Sequence, residues 1–148
     1  MTSASASAAV VIDTMVVSAL INPDRGNPEA TEYRALIAER TIVVSFVTVT
    51  ELRFGALKAG WGELRRRGLE RDLGRFTVVQ PDDELMRICA VLRADCERVG
   101  HGLGHRIHEA DRWIAATALR LGTPLVSDDG IYADIERLTI ESRRARPA

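Results

Sequence analysis

Five short runs rich in β-branched residues, separated by longer segments of helical period, leave this chain few ways to fold. VVID (residues 10–13) and TIVVSF (41–46) are apolar almost throughout and bounded by polar residues, the pattern of strands buried on both faces. FTVV (76–79) and TPLVS (123–127) repeat it, and RLTI (137–140) supplies a last, edge strand. Between them, apolar residues recur at helical spacing over 14–21, 28–39, 47–59, 62–74, 82–99 and 108–121. Strands alternating with helices make βαβ units, so the pattern predicts an α/β fold. The expected architecture is a three-layer α/β/α domain around a central, mainly parallel sheet of four to five strands.

Punctuation agrees with these limits. NPDRGNP (22–28) is rich in turn formers, Gly60 and Gly68 interrupt the middle helices, and GHGLGH (100–105) is expected to be a flexible connector. Cys89 and Cys96 lie seven residues apart on one helix, ~10.5 Å along its axis and too far for a disulfide, so both are expected to be small buried hydrophobes. With 148 residues and no repeat or linker, the chain forms one domain over 8–141, after a flexible leader (1–7) and before a basic tail (142–148). No apolar run reaches the ~18 residues of a membrane span, and the N-terminus lacks the basic start of a signal peptide. The expected compartment is the cytoplasm.

Open parallel sheets bind ligands at the carboxyl ends of their strands, which directs attention to the acids there. Asp13 ends VVID. Glu51 stands in the first turns of the helix after TIVVSF, where Thr48 or Thr50 is a candidate cap, and Asp111 begins the helix that continues RWIAATAL. Asp128 and Asp129 follow PLVS. An acid in the first turn of a helix gains ~0.3–1 kcal/mol from the helix dipole, so Glu51 or Asp111 taken singly reads equally well as a capping residue. Asp13 is different. A carboxylate after a buried strand costs several kcal/mol unless it is paired or bound to metal, and no Lys or Arg lies beside it in sequence.

Carboxylates sharing one pocket repel one another, and a divalent cation reverses that repulsion. A donor set of oxygens alone selects a hard ion, Mg²⁺ or Mn²⁺. One such ion, or a pair ~3.5–4 Å apart, orients water and neutralises charge on a phosphodiester. His101, His105 and His108 surround the glycine-rich connector without a third soft ligand, and read better as loop residues than as a transition-metal site. Phe54 and Trp113 sit at apolar helical positions and are expected in the core.

The net charge of −1 does not mark a nucleic-acid binder, but its distribution is uneven: nineteen of twenty cationic residues are Arg, clustered at 65, 66, 67, 71 and 75 and again at 143, 144 and 146. Guanidinium groups match phosphate oxygens in pairs, and the same clusters also read as a solvated helix face. A phosphoacceptor receiver domain would need an acid pair after the first strand and a lysine after the last. Asp13 has no acidic neighbour and Lys58, the sole lysine, lies mid-chain. A phosphatase with an Asp nucleophile would carry Asp-x-Asp where this chain has DTM.

VIDT (11–14), TVTELRFGA (48–56), ADRWIAATAL (110–119) and LVSDDGIYADI (125–135) together resemble the PIN-domain ribonucleases, specifically the VapC-like toxins of type II toxin-antitoxin systems. The resemblance spans almost the whole domain and implies a PIN-like fold. It makes Asp13 and Asp111 principal metal ligands, completed by Glu51, with Asp129 or its neighbour Asp128 holding a second ion or a water. Thr14 matches a small hydroxyl position, and Glu109 is an accessory acid. Arg65, Arg66, Arg67 and Arg112 are the candidate RNA contacts. Met15 departs from the family, which usually has Asn or Ser there. The activity implied is that of a Mg²⁺- or Mn²⁺-dependent endoribonuclease toxin hydrolysing RNA, homodimeric and inhibited by a cognate antitoxin. The alternative is an RNA- or antitoxin-binding module with weak or no nuclease activity.

Overall fold

The computed structural model describes residues 9–21 and 27–144; the expected leader, most of the NPDRGNP turn and Arg146 lie outside them. The elements follow the sequence pattern closely. In chain order they are β1 (Ala9–Ile12), α1 (Thr14–Ile21), α2 (Pro28–Ile37), β2 (Thr41–Ser45), α3 (Phe46–Lys58), α4 (Glu63–Leu73), β3 (Thr77–Val79), α5 (Asp83–Val99), α6 (Glu109–Leu121), β4 (Leu125–Val126) and β5 (Ile140–Glu141). The strands form one sheet in the order β3-β2-β1-β4-β5, and every pairing among them is parallel.

Period-two alternation divides the strand residues between two cores. Val10, Ile12, Val44 and Val126 pack with Val16 and Val17 of α1, Tyr33 of α2, Val49 and Ala56 of α3, and Leu69 and Leu73 of α4. Val11, Val43 and Leu125 point the other way, onto Leu92 and Cys96 of α5 and Ile114, Ala115 and Ala118 of α6. Both faces of the sheet are therefore covered, which is why its strands carry almost no polar residues. Cys89 and Cys96 are buried, unpaired thiols, and burial pushes both pKa values up.

Several local expectations are corrected. Gly60, at φ 73°, lies just beyond α3, but Gly68 sits inside α4 without breaking it. The cap of α3 is Ser45, whose hydroxyl accepts the Val47 amide. Thr50 instead bonds the Phe46 carbonyl, and Thr48 is buried. Phe54 is 62% exposed, because Val49, Leu52 and Ala56 occupy the inward side of α3. Trp113 does pack inside, its ring edge-on to Phe46 at 5.2 Å.

The GHGLGH connector is a packed double turn. Leu103 is fully buried, His101 caps the first turn by accepting the Leu103 amide, and its other ring nitrogen bonds the Ala133 carbonyl. Gly104 presses on α5 so closely that a Cβ there would lie 2.8 Å from the Glu97 nitrogen.

Candidate active site

Strand order places the site. From β1 the chain first builds outward through β2 to β3, then crosses back to lay β4 on the other side of β1. The crevice at such a reversal opens at the carboxyl ends of the two adjoining strands. Asp13 leaves β1 there, and Ser127, Asp128 and Asp129 leave β4.

Asp13 is 4% exposed and acts first as a cap: its Oδ1 accepts the Val16 amide at 2.9 Å, satisfying a free donor at the start of α1. The Ser127 hydroxyl donates to its Oδ2. Burial pushes its pKa up; the Ser127 and Val16 bonds pull the other way, and the charges of Asp129 and Asp111 push it up again. Every charged group named among those influences is negative.

Asp111 projects from the first turn of α6 with both oxygens engaged. His108 Nδ1 bonds Oδ2 at 2.8 Å and the Tyr132 hydroxyl donates to Oδ1 at 3.2 Å. Tyr132 is 1% exposed, and its hydroxyl pKa is driven upward by burial and then by the charges of Asp111, Asp13 and Asp129. The phenol bonds Asp111 directly, and the charges of Asp13 and Asp129 also reach it.

Asp129 is held by its own turn: its amide donates to Ser127 Oγ and its Oδ1 accepts the Ile131 amide, both at 3.0 Å. Ser127 thus links Asp13 to Asp129 through a single hydroxyl. Glu51 joins from α3, where its Oε1 accepts from Thr14 Oγ1 at 3.0 Å, and Thr14 also meets the Thr48 hydroxyl at 3.0 Å.

The remaining candidates lie elsewhere. Asp128 faces away from this group, onto Tyr33, Ser142 and Arg143. Burial pushes its carboxyl up, but the hydroxyls of Ser142 and Tyr33, the Arg143 amide and the Arg143 charge outweigh that and hold it low. Glu109 is exposed, and its charge is felt at Cys89 of α5. Arg112 is corrected as an RNA contact: it is 2% exposed, and its guanidinium donates to the Leu103 and His105 carbonyls at 3.0 and 2.6 Å. It staples the glycine-rich turn to α6. Arg65, Arg66 and Arg67 are exposed on α4, with Arg65 over the Trp61 ring at 3.8 Å and Arg67 bonded to Glu63.

Among the described residues, no three acid, His or Cys side chains close on a common point as a preformed metal cluster. The donor chemistry nonetheless suits a hard cation. The charges of Asp111 and Asp129 add to the cost of ionising Asp13, the groups bonded to these acids include hydroxyls and amides but no Lys or Arg, and carboxylate oxygens are the ligands Mg²⁺ and Mn²⁺ prefer. Sequence reasoning had not singled out Ser127, Tyr132 or His108 as site residues. Their signal is positional: Ser127 and Tyr132 flank Asp129, and His108 precedes Asp111 by three residues.

The sequence profile of the PIN domain matches residues 10–138. The chain is 30% identical over 104 residues to ribonuclease VapC5 of Mycobacterium tuberculosis, covering 69% of this chain and 73% of that protein. Among solved structures, VapBC2 from Rickettsia felis, bound to a DNA fragment from its promoter, superposes with a TM-score of 0.74 at 22% identity, over 90% of this chain and 98% of that one. The toxin-antitoxin system VapBC-5 of M. tuberculosis gives 0.63 at 26% identity, over 93% and 98%.

Proposed function

The chain belongs to the PIN-domain family, and from that premise we propose that it is a metal-dependent endoribonuclease, the toxin of a VapC-like pair. The observation that carries this reading is Asp13, a buried carboxylate whose charged neighbours are themselves carboxylates. Asp13 and Asp111 are the residues to hold Mg²⁺ or Mn²⁺, with Glu51 and Asp129 completing the shell directly or through water. Bound there, the ion supplies an activated water and neutralises charge developing on a phosphodiester.

The chain's own residues set the geometry. The Val16 amide and Ser127 hydroxyl fix Asp13, His108 and Tyr132 fix Asp111, and Thr14 orients Glu51. Water adds to phosphorus, the bond to the 3′-oxygen breaks, and that oxygen leaves with a proton. The products are a 5′-phosphate and a 3′-hydroxyl.

RNA contacts fall to Arg65, Arg66 and Arg67. The relatives solved as VapBC toxin-antitoxin assemblies support a cognate antitoxin as partner, and we extend the proposal to a homodimer. Exposed Phe54, Leu57 and Leu64 on α3 and α4 offer apolar surface for a protein partner. Among the described residues no helix is long and apolar enough to cross a membrane.

The test is cleavage of total cellular RNA by purified protein with Mg²⁺, Mn²⁺ or EDTA, beside Asp13→Asn and Asp111→Asn, with fragment ends mapped. Discrete fragments bearing 5′-phosphates, absent with EDTA and in both variants, are expected. A 2′,3′-cyclic phosphate would implicate the ribose hydroxyl and overturn the mechanism. The second reading, a binding module, rests on Met15, an apolar side chain 72% exposed at the second position of α1, adjacent to Thr14. RNA binding without cleavage, with activity gained in Met15→Asn, would favour it.

A further inference from the structure

Asp128 poses a question that the acidic site leaves open. It stands one residue before Asp129 yet spends its carboxylate on the opposite side, with its side chain 12% exposed. Tyr33 of α2 donates to it at 2.9 Å, the Ser142 hydroxyl at 2.7 Å and the Arg143 amide at 3.0 Å, and the Arg143 guanidinium forms an ion pair with it. Arg143 also pairs with Glu29 and Glu32 of α2, at 3.6 and 3.3 Å, and lies 5.6 Å over the Tyr33 ring. The first residues of the expected basic tail are therefore bound to the body of the domain.

Part-buried ion pairs of this kind add little net stability, because desolvation offsets most of the attraction. In some systems such pairs instead specify one arrangement. The arrangement specified here is the turn after β4: Ser127, which donates to Asp13, immediately precedes Asp128, and Asp129 immediately follows it. An anchor at the middle residue of that turn holds the groups on either side of it.

We propose that Tyr33 and Arg143 are positioning residues for the acidic site: by locking Asp128 they fix the Ser127–Asp129 turn against Asp13. The inference rests on the reading of that site as a metal centre. It also assigns the two adjacent aspartates separate tasks, Asp129 in the site and Asp128 in the clamp behind it.

The test compares wild type, Tyr33→Phe, Arg143→Ala and the control Arg40→Ala. Arg40, just before β2, pairs with Glu141 of β5 at 2.9 Å with similar exposure, and this pair does not involve Asp128. Three quantities are read: Mn²⁺ affinity by calorimetry, hydrogen exchange at the Asp129 and Ile131 amides in metal-free protein, and kcat against KM for RNA. Loss of a group that orients a metal ligand costs about tenfold or more in metal affinity or activity. Tyr33→Phe and Arg143→Ala are expected to weaken Mn²⁺ binding about tenfold, speed exchange at both amides, and lower kcat with KM little changed. Arg40→Ala is expected to leave all three as in wild type.

A purely structural role would lower the melting temperature while Mn²⁺ affinity and both amides stayed at wild-type values, and that result would overturn the clamp alone. Equal losses in Arg40→Ala would overturn it as well. Wild-type protein that binds no Mn²⁺ would overturn the metal reading, and with it this inference. If Arg143→Ala does not fold, Tyr33→Phe, which removes one oxygen atom, decides the question.

Discussion

Arg112 tests whether the site rests on the packed turn beneath it. Changing Arg112 to Met keeps the length of the apolar stem and removes the guanidinium. Two hydrogen bonds disappear, to the Leu103 and His105 carbonyls. The Leu103 carbonyl loses a donor in a region where Leu103 is wholly buried, a loss of about 1–3 kcal/mol for an unpaired interior group. The His105 carbonyl keeps the His108 amide at 3.0 Å, so its loss falls at the low end, about 1 kcal/mol. Removing a charge that is costly to bury returns part of the sum. A net destabilisation of about 2 kcal/mol follows, or about 4–8 °C at roughly 2–4 °C per kcal/mol for a domain of this size. Thermal denaturation followed by circular dichroism reads it directly, with Arg65→Ala as a surface control expected to stay within about 0.5 kcal/mol of wild type. A variant that melts like wild type but has lost RNA affinity would refute the argument and return Arg112 to the RNA-binding surface.

Two further outcomes come from the same geometry. Burial, reinforced by the charges of Asp129 and Asp111, holds Asp13 above its usual pKa, so without metal its ionised form costs stability above the folded pKa, and the cost disappears as pH falls below the unfolded value. Metal-free Asp13→Asn is therefore expected to be more stable than wild type at pH 7, with the gap closing toward pH 3 in urea denaturation; a gap independent of pH would contradict this. Gly104→Ala would set a methyl 2.8 Å from the Glu97 nitrogen and 3.0 Å from Cys96 Cβ, and is expected to destabilise by about 1–3 kcal/mol, while an unchanged urea midpoint would show that the turn is not pressed on α5.

The places where sequence reading failed share a cause. Phe54 looks like a core residue in its string, and only the direction of the inner face of α3 turns it outward. Arg112 carries the charge of an RNA contact, yet α6 enters the core one residue early enough to take it inside, where backbone carbonyls of the preceding turn receive it. The glycines of residues 100–105 suggest mobility, whereas at Gly104 the missing side chain serves a close approach.

Apolar periodicity and the placement of acids after strands were enough, without coordinates, to mark the alternating elements, the parallel sheet and Asp13, Glu51, Asp111 and the pair Asp128 and Asp129 as candidates. These are properties of local spacing: period two or 3.6 shows which residues face inward, and a carboxylate after a buried strand is conspicuous wherever the strand lies. Which acid of the pair Asp128 and Asp129 faces the site, which hydroxyls hold it and which arginines reach solvent depended on contacts between residues as distant as Tyr33 and Asp128 or Asp13 and Ser127. Side-chain direction at a turn is set by the partners packed around it, and those partners meet only once the sheet has closed.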